Sequence, residues 1–104
     1  MMPQKKIVEL ARGIISGEVG LIAGSRQLWR LGLDVAPRDR DILFLSGVAS
    51  GADEFHIAGD ARQRWNPEAL RAKDAELVAY EARYREEIFD ICGRLIQRYD
   101  HAAS

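Results

Sequence analysis

The apolar positions along the chain recur at three and four residues over most of its length, which predicts helices before anything else is considered. From Pro3, Ile7, Leu10, Ala11 and Ile14 form a stripe, widened by Val8 and Ile15, while Lys5, Lys6, Glu9 and Arg12 fall opposite. A second stripe, Val19, Ile22, Ala23 and Trp29 with Leu21 and Leu28 adjacent, predicts a helix to about Leu31, ended by Gly32 and the Pro37 region. Between the two, Ser16-Gly17-Glu18 supports either a glycine C-cap at Gly17 or an N-cap at Ser16. If the helix ran on unbroken, Gly13, Gly17, Gly20 and Gly24 would share one face and let another helix approach closely. A break at Gly17 is the alternative, and the cost of interior glycines favours it.

Leu33 to Asp41, with Pro37 and its charges, reads as a loop, and the run Ile42-Leu43-Phe44-Leu45 after it is wholly apolar. Periodicity does not separate a buried strand from a short core helix at that length. Helix is preferred, because nothing else in the chain offers a strand to pair with. Ser46 to Gly59 is rich in small and turn-forming residues and reads as the least regular part.

The sharpest local signal is Trp65-Asn66-Pro67-Glu68-Ala69-Leu70. Asn66 is a favoured N-cap, Pro67 suits the first helical position, Glu68 complements the helix dipole, and Trp65 and Leu70 have the spacing of a hydrophobic staple. From there to about Tyr99 the helical pattern meets only Gly93. Leu70, Leu77, Tyr84, Ile88, Ile91, Leu95 and Tyr99 make the inner stripe, with Val78, Cys92 and Ile96 beside it. A straight helix of that extent is about 50 Å long, against a radius of gyration of roughly 13 Å for a compact chain of this size. Either it kinks near Gly93 or a partner covers part of its stripe. The pattern predicts an all-α fold of three to four helices in a single domain over residues 1–104. The long C-terminal helix is its spine, and the Ile42–Leu45 run plugs the core.

Composition narrows the function. The 104 residues carry a formal net charge of -1, which argues against nucleic acid or an anionic membrane as the main partner. One cysteine, Cys92, excludes an intramolecular disulfide and a four-thiolate zinc site; with no signal-like N-terminal run and no long uncharged apolar segment, a cytoplasmic setting is expected. Cys92 lies beside the apolar stripe, where a thiol packs as a small hydrophobe, and neither His56 nor His101 is placed by sequence to activate it. Asp53, Glu54, His56 and Asp60 follow no established metal-site spacing, so no metal and no cofactor are expected. Asp74 and Glu81 lie near the inner stripe and need cationic partners, for which Arg26, Arg30, Arg62 and Arg64 are the candidates.

Two resemblances add to this. Ser46, Gly47, Gly51 and Asp53 resemble, over about ten residues, the Ser-Gly-x-Ala-x-Gly-x-Asp turn of Rossmann-like proteins of the DNA-processing and lysine-decarboxylase-like group. That likeness implies a loop offering backbone amides to phosphate. Such a fold needs several parallel strands, which the chain does not supply. Over most of its length the chain instead resembles a family of small helical bacterial proteins, a domain of unknown function. The matching residues are Ser16-Gly17-Glu18, Gly24, Gly47, Ser50, Asp53, Arg62, Trp65, Lys73-Asp74-x-Glu76, Tyr84-Arg85, Cys92 and Leu95-Ile96, with a departure at Ala49, Gly51 and Ala52. This second resemblance implies a helical fold and a polar cluster of Asp53, Arg62, Trp65 and Asp74.

The expectation is a non-enzymatic protein-binding module, of an immunity or inhibitor type or a small regulatory adaptor. Its partner is another protein, or a second copy in a homodimer through the long helix. The partner surface is expected at Asp53, Glu54, His56, Arg62, Trp65 and Asp74. The alternative is a small nucleotide- or nucleic-acid-binding protein using the Ser46–Asp53 loop.

Overall fold

The computed structural model describes residues 3–55 and 60–103, and among them every regular element is a helix. In chain order these are α1 (Pro3–Ser16), α2 (Leu21–Val35), α3 (Arg40–Ala52), the short α4 (Asp60–Arg64) and α5 (Pro67–Ala103). The all-α expectation holds, with α5 as the spine and α1 packed along it.

The chain breaks at Gly17, which takes φ +86°, a conformation that costs a glycine little and other residues much. Gly17 N–H donates to the Ile14 carbonyl and Val19 N–H to the Gly13 carbonyl. Ser16 is not the cap of α2. Its hydroxyl donates to the Gly13 carbonyl and accepts from Glu18 N–H, and Gly20 stands at the N-cap with no side-chain bond. The glycine face survives in part despite the break, because Val19 fills the space beside Gly13 and Ile14 the space beside Gly24, drawing α1 and α2 together at their corner.

Gly32 does not end α2. It is buried inside the helix with Ile42 of α3 against it, and α2 continues to Val35, capped by Ala36 N–H to the Gly32 carbonyl at 2.7 Å. The expected loop from Leu33 to Asp41 therefore shrinks to residues 36–39. Asp39 then caps α3, accepting from Asp41 N–H at 2.9 Å and Ile42 N–H at 3.3 Å.

The apolar run Ile42–Leu45 is helical, and its helix runs on through Gly47 and Gly51 to Ala52. Ser46–Ala52 was expected to be irregular. Instead Ile42, Leu45, Val48, Ala49 and Ala52 are buried at helical spacing, and this packing outweighs the local cost of two glycines.

Asn66 caps α5 as expected, its side-chain oxygen accepting from Glu68 N–H at 2.8 Å. The helix is continuous past Gly93 for 37 residues and sets the long dimension of a molecule with extents of 49 × 25 × 24 Å. Its own chain covers the inner stripe where that stripe is most apolar: Ile88, Ile91, Cys92 and Leu95 are buried with Ile7, Ala11 and Ile14 of α1, Leu28 of α2, and Ile42, Leu45 and Val48 of α3. Toward its N-terminus Leu70 and Leu77 are half-buried. Val78, beside the stripe, is 65% exposed. The need for a partner to cover the inner stripe is therefore weaker than the length of the helix implies.

Two arginines of α5 hold the start of α3. Arg94 makes a two-pronged contact to Asp41 at 3.0 and 2.9 Å, and Arg98 reaches Asp39 at 2.7 Å. The Arg94 hydrogen bond, outweighing the opposing effect of burial, holds the Asp41 carboxyl below its ordinary pKa. A depressed folded-state pKa contributes stability that is present above the unfolded value, about pH 4, and lost as pH falls through the native one. An acid titration of unfolding free energy is expected to fall below about pH 4, and Asp41→Asn to flatten that fall relative to the parent chain.

Candidate functional site

Of the six residues expected at a partner surface, Asp53, Arg62 and Asp74 form ion pairs. Asp53, just past α3, is exposed and pairs with Arg26 of α2, which also donates to the Ala49 carbonyl at 3.1 Å. This closes the C-terminal end of α3 against α2. Arg62 of α4 meets Asp74 of α5 through two parallel bonds of 3.2 and 3.0 Å, and Asp74 holds the guanidinium pKa above its ordinary value. That pair ties α4 to the long helix, so Arg62 serves Asp74 and Arg26 serves Asp53. Glu81 has Arg85 of its own helix at 3.9 Å. Glu54 is exposed, Trp65 is 38% exposed, and His56 lies outside the described residues.

A different group of side chains stands out where α3, the turn after it and α5 meet. Phe44, Tyr84, Tyr80 and Phe55 form one continuous row with ring centroids 6.1, 4.9 and 5.4 Å apart, all edge-on or tilted, the arrangement aromatic quadrupoles favour. All four are half-buried. Tyr80 is the pivot. Its hydroxyl donates to the Val48 carbonyl at 2.8 Å, and desolvation by its neighbours pushes its pKa up, so it stays protonated and the bond persists at neutral pH. Arg83 lies 5.3 Å from the Tyr84 ring centre and Lys73 5.8 Å from that of Phe55, both within cation–π reach.

Tyr80 separates two shallow clefts. One, of about 190 Å³, is lined by Phe44, Gly47, Val48, Tyr80 and Tyr84. The other, of about 280 Å³, is lined by Phe55, Glu76, Ala79, Tyr80 and Arg83. Gly51 lies directly against the Tyr80 hydroxyl, whereas nothing stands within 4 Å of a side-chain carbon built at Gly47, so the first cleft has an open notch in its floor. Sequence reading missed this row. Its signal was the Tyr80-x-x-x-Tyr84 spacing, two rings one turn apart on one helix face. Phe44 and Phe55 join them only through the tertiary fold.

The arrangement offers shape and apolar surface, not reactive groups. The Cys92 thiol is fully buried, and desolvation pushes its pKa up to about 11, so it is a protonated packing group. Among the described residues no three His, Cys, Asp or Glu side chains converge as metal ligands, and no helix is long and apolar enough to cross a membrane. Ser46 to Ala52 lies inside α3, where backbone amides are spent on the helix ladder and are not turned toward a phosphate. Compared with family models, curated proteins and solved structures, the chain has no significant match.

Proposed function

We propose that the protein is a non-enzymatic protein-binding module, of the adaptor or inhibitor type, working in the cytoplasm. The observation that carries this reading is the aromatic row from Phe44 to Phe55 with a cleft on each side of Tyr80. Rigid aromatic side chains supply large contact area at low entropic cost, and they are enriched where proteins meet. Tyr80 is fixed by its bond to Val48, so the surface is ordered in advance and little is lost on docking. The Arg26–Asp53 and Arg62–Asp74 pairs act as supports in this reading, holding the elements on either side of the row.

The test is site-directed photocrosslinking in the source cell, with a benzophenone amino acid at Ala79 on the floor of the second cleft. A discrete protein adduct that disappears when Phe55→Ser is added is the expected result. An adduct pattern no different from that of the same probe at exposed Gln97, remote from the row, overturns the reading.

A further inference from the structure

The outward stripe of α3 is self-complementary, and we infer that the partner of the aromatic surface is a second copy of this chain, docked α3 against α3 about a two-fold axis. The inference rests on the protein-binding reading and names its occupant. Along α3 the exposed positions are Arg40, Leu43, Gly47 and Ser50, with Glu54 following just past the helix end. The spacing of three and four residues places the four helical positions on one side, and Glu54 follows in the turn after Ala52.

Leu43 is a knob, 51% exposed. One turn away Gly47 has no side chain, is open to solvent and lines the shallow cleft of Phe44, Val48, Tyr80 and Tyr84. In a two-fold contact each residue of one copy meets its counterpart's partner, so two such helices run antiparallel and each Leu43 enters the other's Gly47 notch. That register sets Arg40 opposite Ser50 of the second copy, with the exposed Glu54 four residues further along the chain, just past that end of the helix. The two-fold repeats the Arg40–Glu54 pairing at the other end. A cation at one end of the stripe and an anion at the other thus select the antiparallel pairing and oppose the parallel one. An isolated exposed leucine is ordinary on a protein surface. A leucine beside a matching vacancy, between opposite charges in mirror order, is what a self-pairing helix requires.

Sedimentation equilibrium of the full chain over a wide concentration range tests this, with circular dichroism on every variant. The parent chain is expected to show a monomer–dimer equilibrium. Gly47→Gln fills the notch and is expected to shift it to monomer without loss of helix. Arg40→Glu and Glu54→Arg are each expected to weaken association about tenfold, corresponding to about 1.4 kcal/mol, and the double reversal to restore it. A parent chain monomeric up to millimolar concentration overturns the inference, as does a folded double reversal no tighter than either single change. A monomeric parent that still gives a heterologous adduct from position 79 removes only the second copy as partner. A monomer with no specific adduct removes the protein-binding reading as well.

Discussion

Leu45→Ala is expected to lower the unfolding free energy by about 2–5 kcal/mol, whereas Leu43→Ala, two positions earlier in the same apolar run, changes it by no more than about 0.5 kcal/mol. Both are read from urea denaturation at a concentration low enough to keep the chain monomeric. Leu45 is fully buried in the cluster that joins α1, α2, α3 and α5, so its truncation removes apolar burial and leaves a cavity that those helices cannot readily close. Leu43 is half exposed on the outer side of α3, and its truncation exchanges one solvated side chain for another. Equal losses at the two sites would mean that α3 is rotated about its axis from the orientation described. A change at Leu43 that grows with protein concentration would instead report on association.

The run Ile42-Leu43-Phe44-Leu45 shows what a sequence discloses and what it withholds. Four consecutive apolar residues have no face, so periodicity was silent, and the preference for helix came only from the lack of other strands. The face becomes visible with the next turns: Val48, Ala49 and Ala52 continue the buried spacing of Ile42 and Leu45, but alanines and intervening glycines resemble a turn when counted by composition. Gly32 misled in the same way. A glycine near the end of an apolar stripe reads as a stop, and only the position of Ile42 across the helix pair shows that it is there for close approach. Where the signal was local chemistry, at Gly17 and at Asn66-Pro67, residue type and backbone geometry agree, because caps are satisfied by neighbours within four residues.

The candidate site was less legible for the same physical reason. The cation serving Asp74 was among four arginines named from charge alone, yet which one reaches it depends on how α4 sits beside α5. The arginines that fix Asp39 and Asp41 are 59 and 53 residues away, and no local pattern announces them. Tyr84 belongs to the inner stripe by periodicity, whereas Tyr80 falls outside it. Their aromatic neighbours come from α3 and from the turn after it, so the row exists only once the chain is folded.

Two glycine-to-alanine changes are expected to move stability in opposite directions, although both sit inside long helices. Each replacement relieves the unfolded chain of some freedom and adds about 0.5–1 kcal/mol to the helix. At Gly93 nothing lies within 4 Å of the new methyl group, so Gly93→Ala keeps that gain and raises the melting temperature by several degrees. At Gly32 the methyl group would stand 2.5 Å from Ile42 Cδ1 and 2.8 Å from both Cγ atoms. Ile42 is branched at Cβ, 1% exposed and flanked by core, so rotation about χ1 cannot clear both branches and α2 and α3 must part. Overpacking of that kind costs about 1–3 kcal/mol, enough to outweigh the helix term. Gly32→Ala is therefore expected to melt below the parent and Gly93→Ala above it in the same calorimetric scan. The companion Gly32→Ala/Ile42→Ala separates contact from propensity: with all three crowding carbons gone, Gly32→Ala should cost less than it does in the parent background. Unchanged cost in that background would show that the α2–α3 approach at Gly32 is not what limits the site.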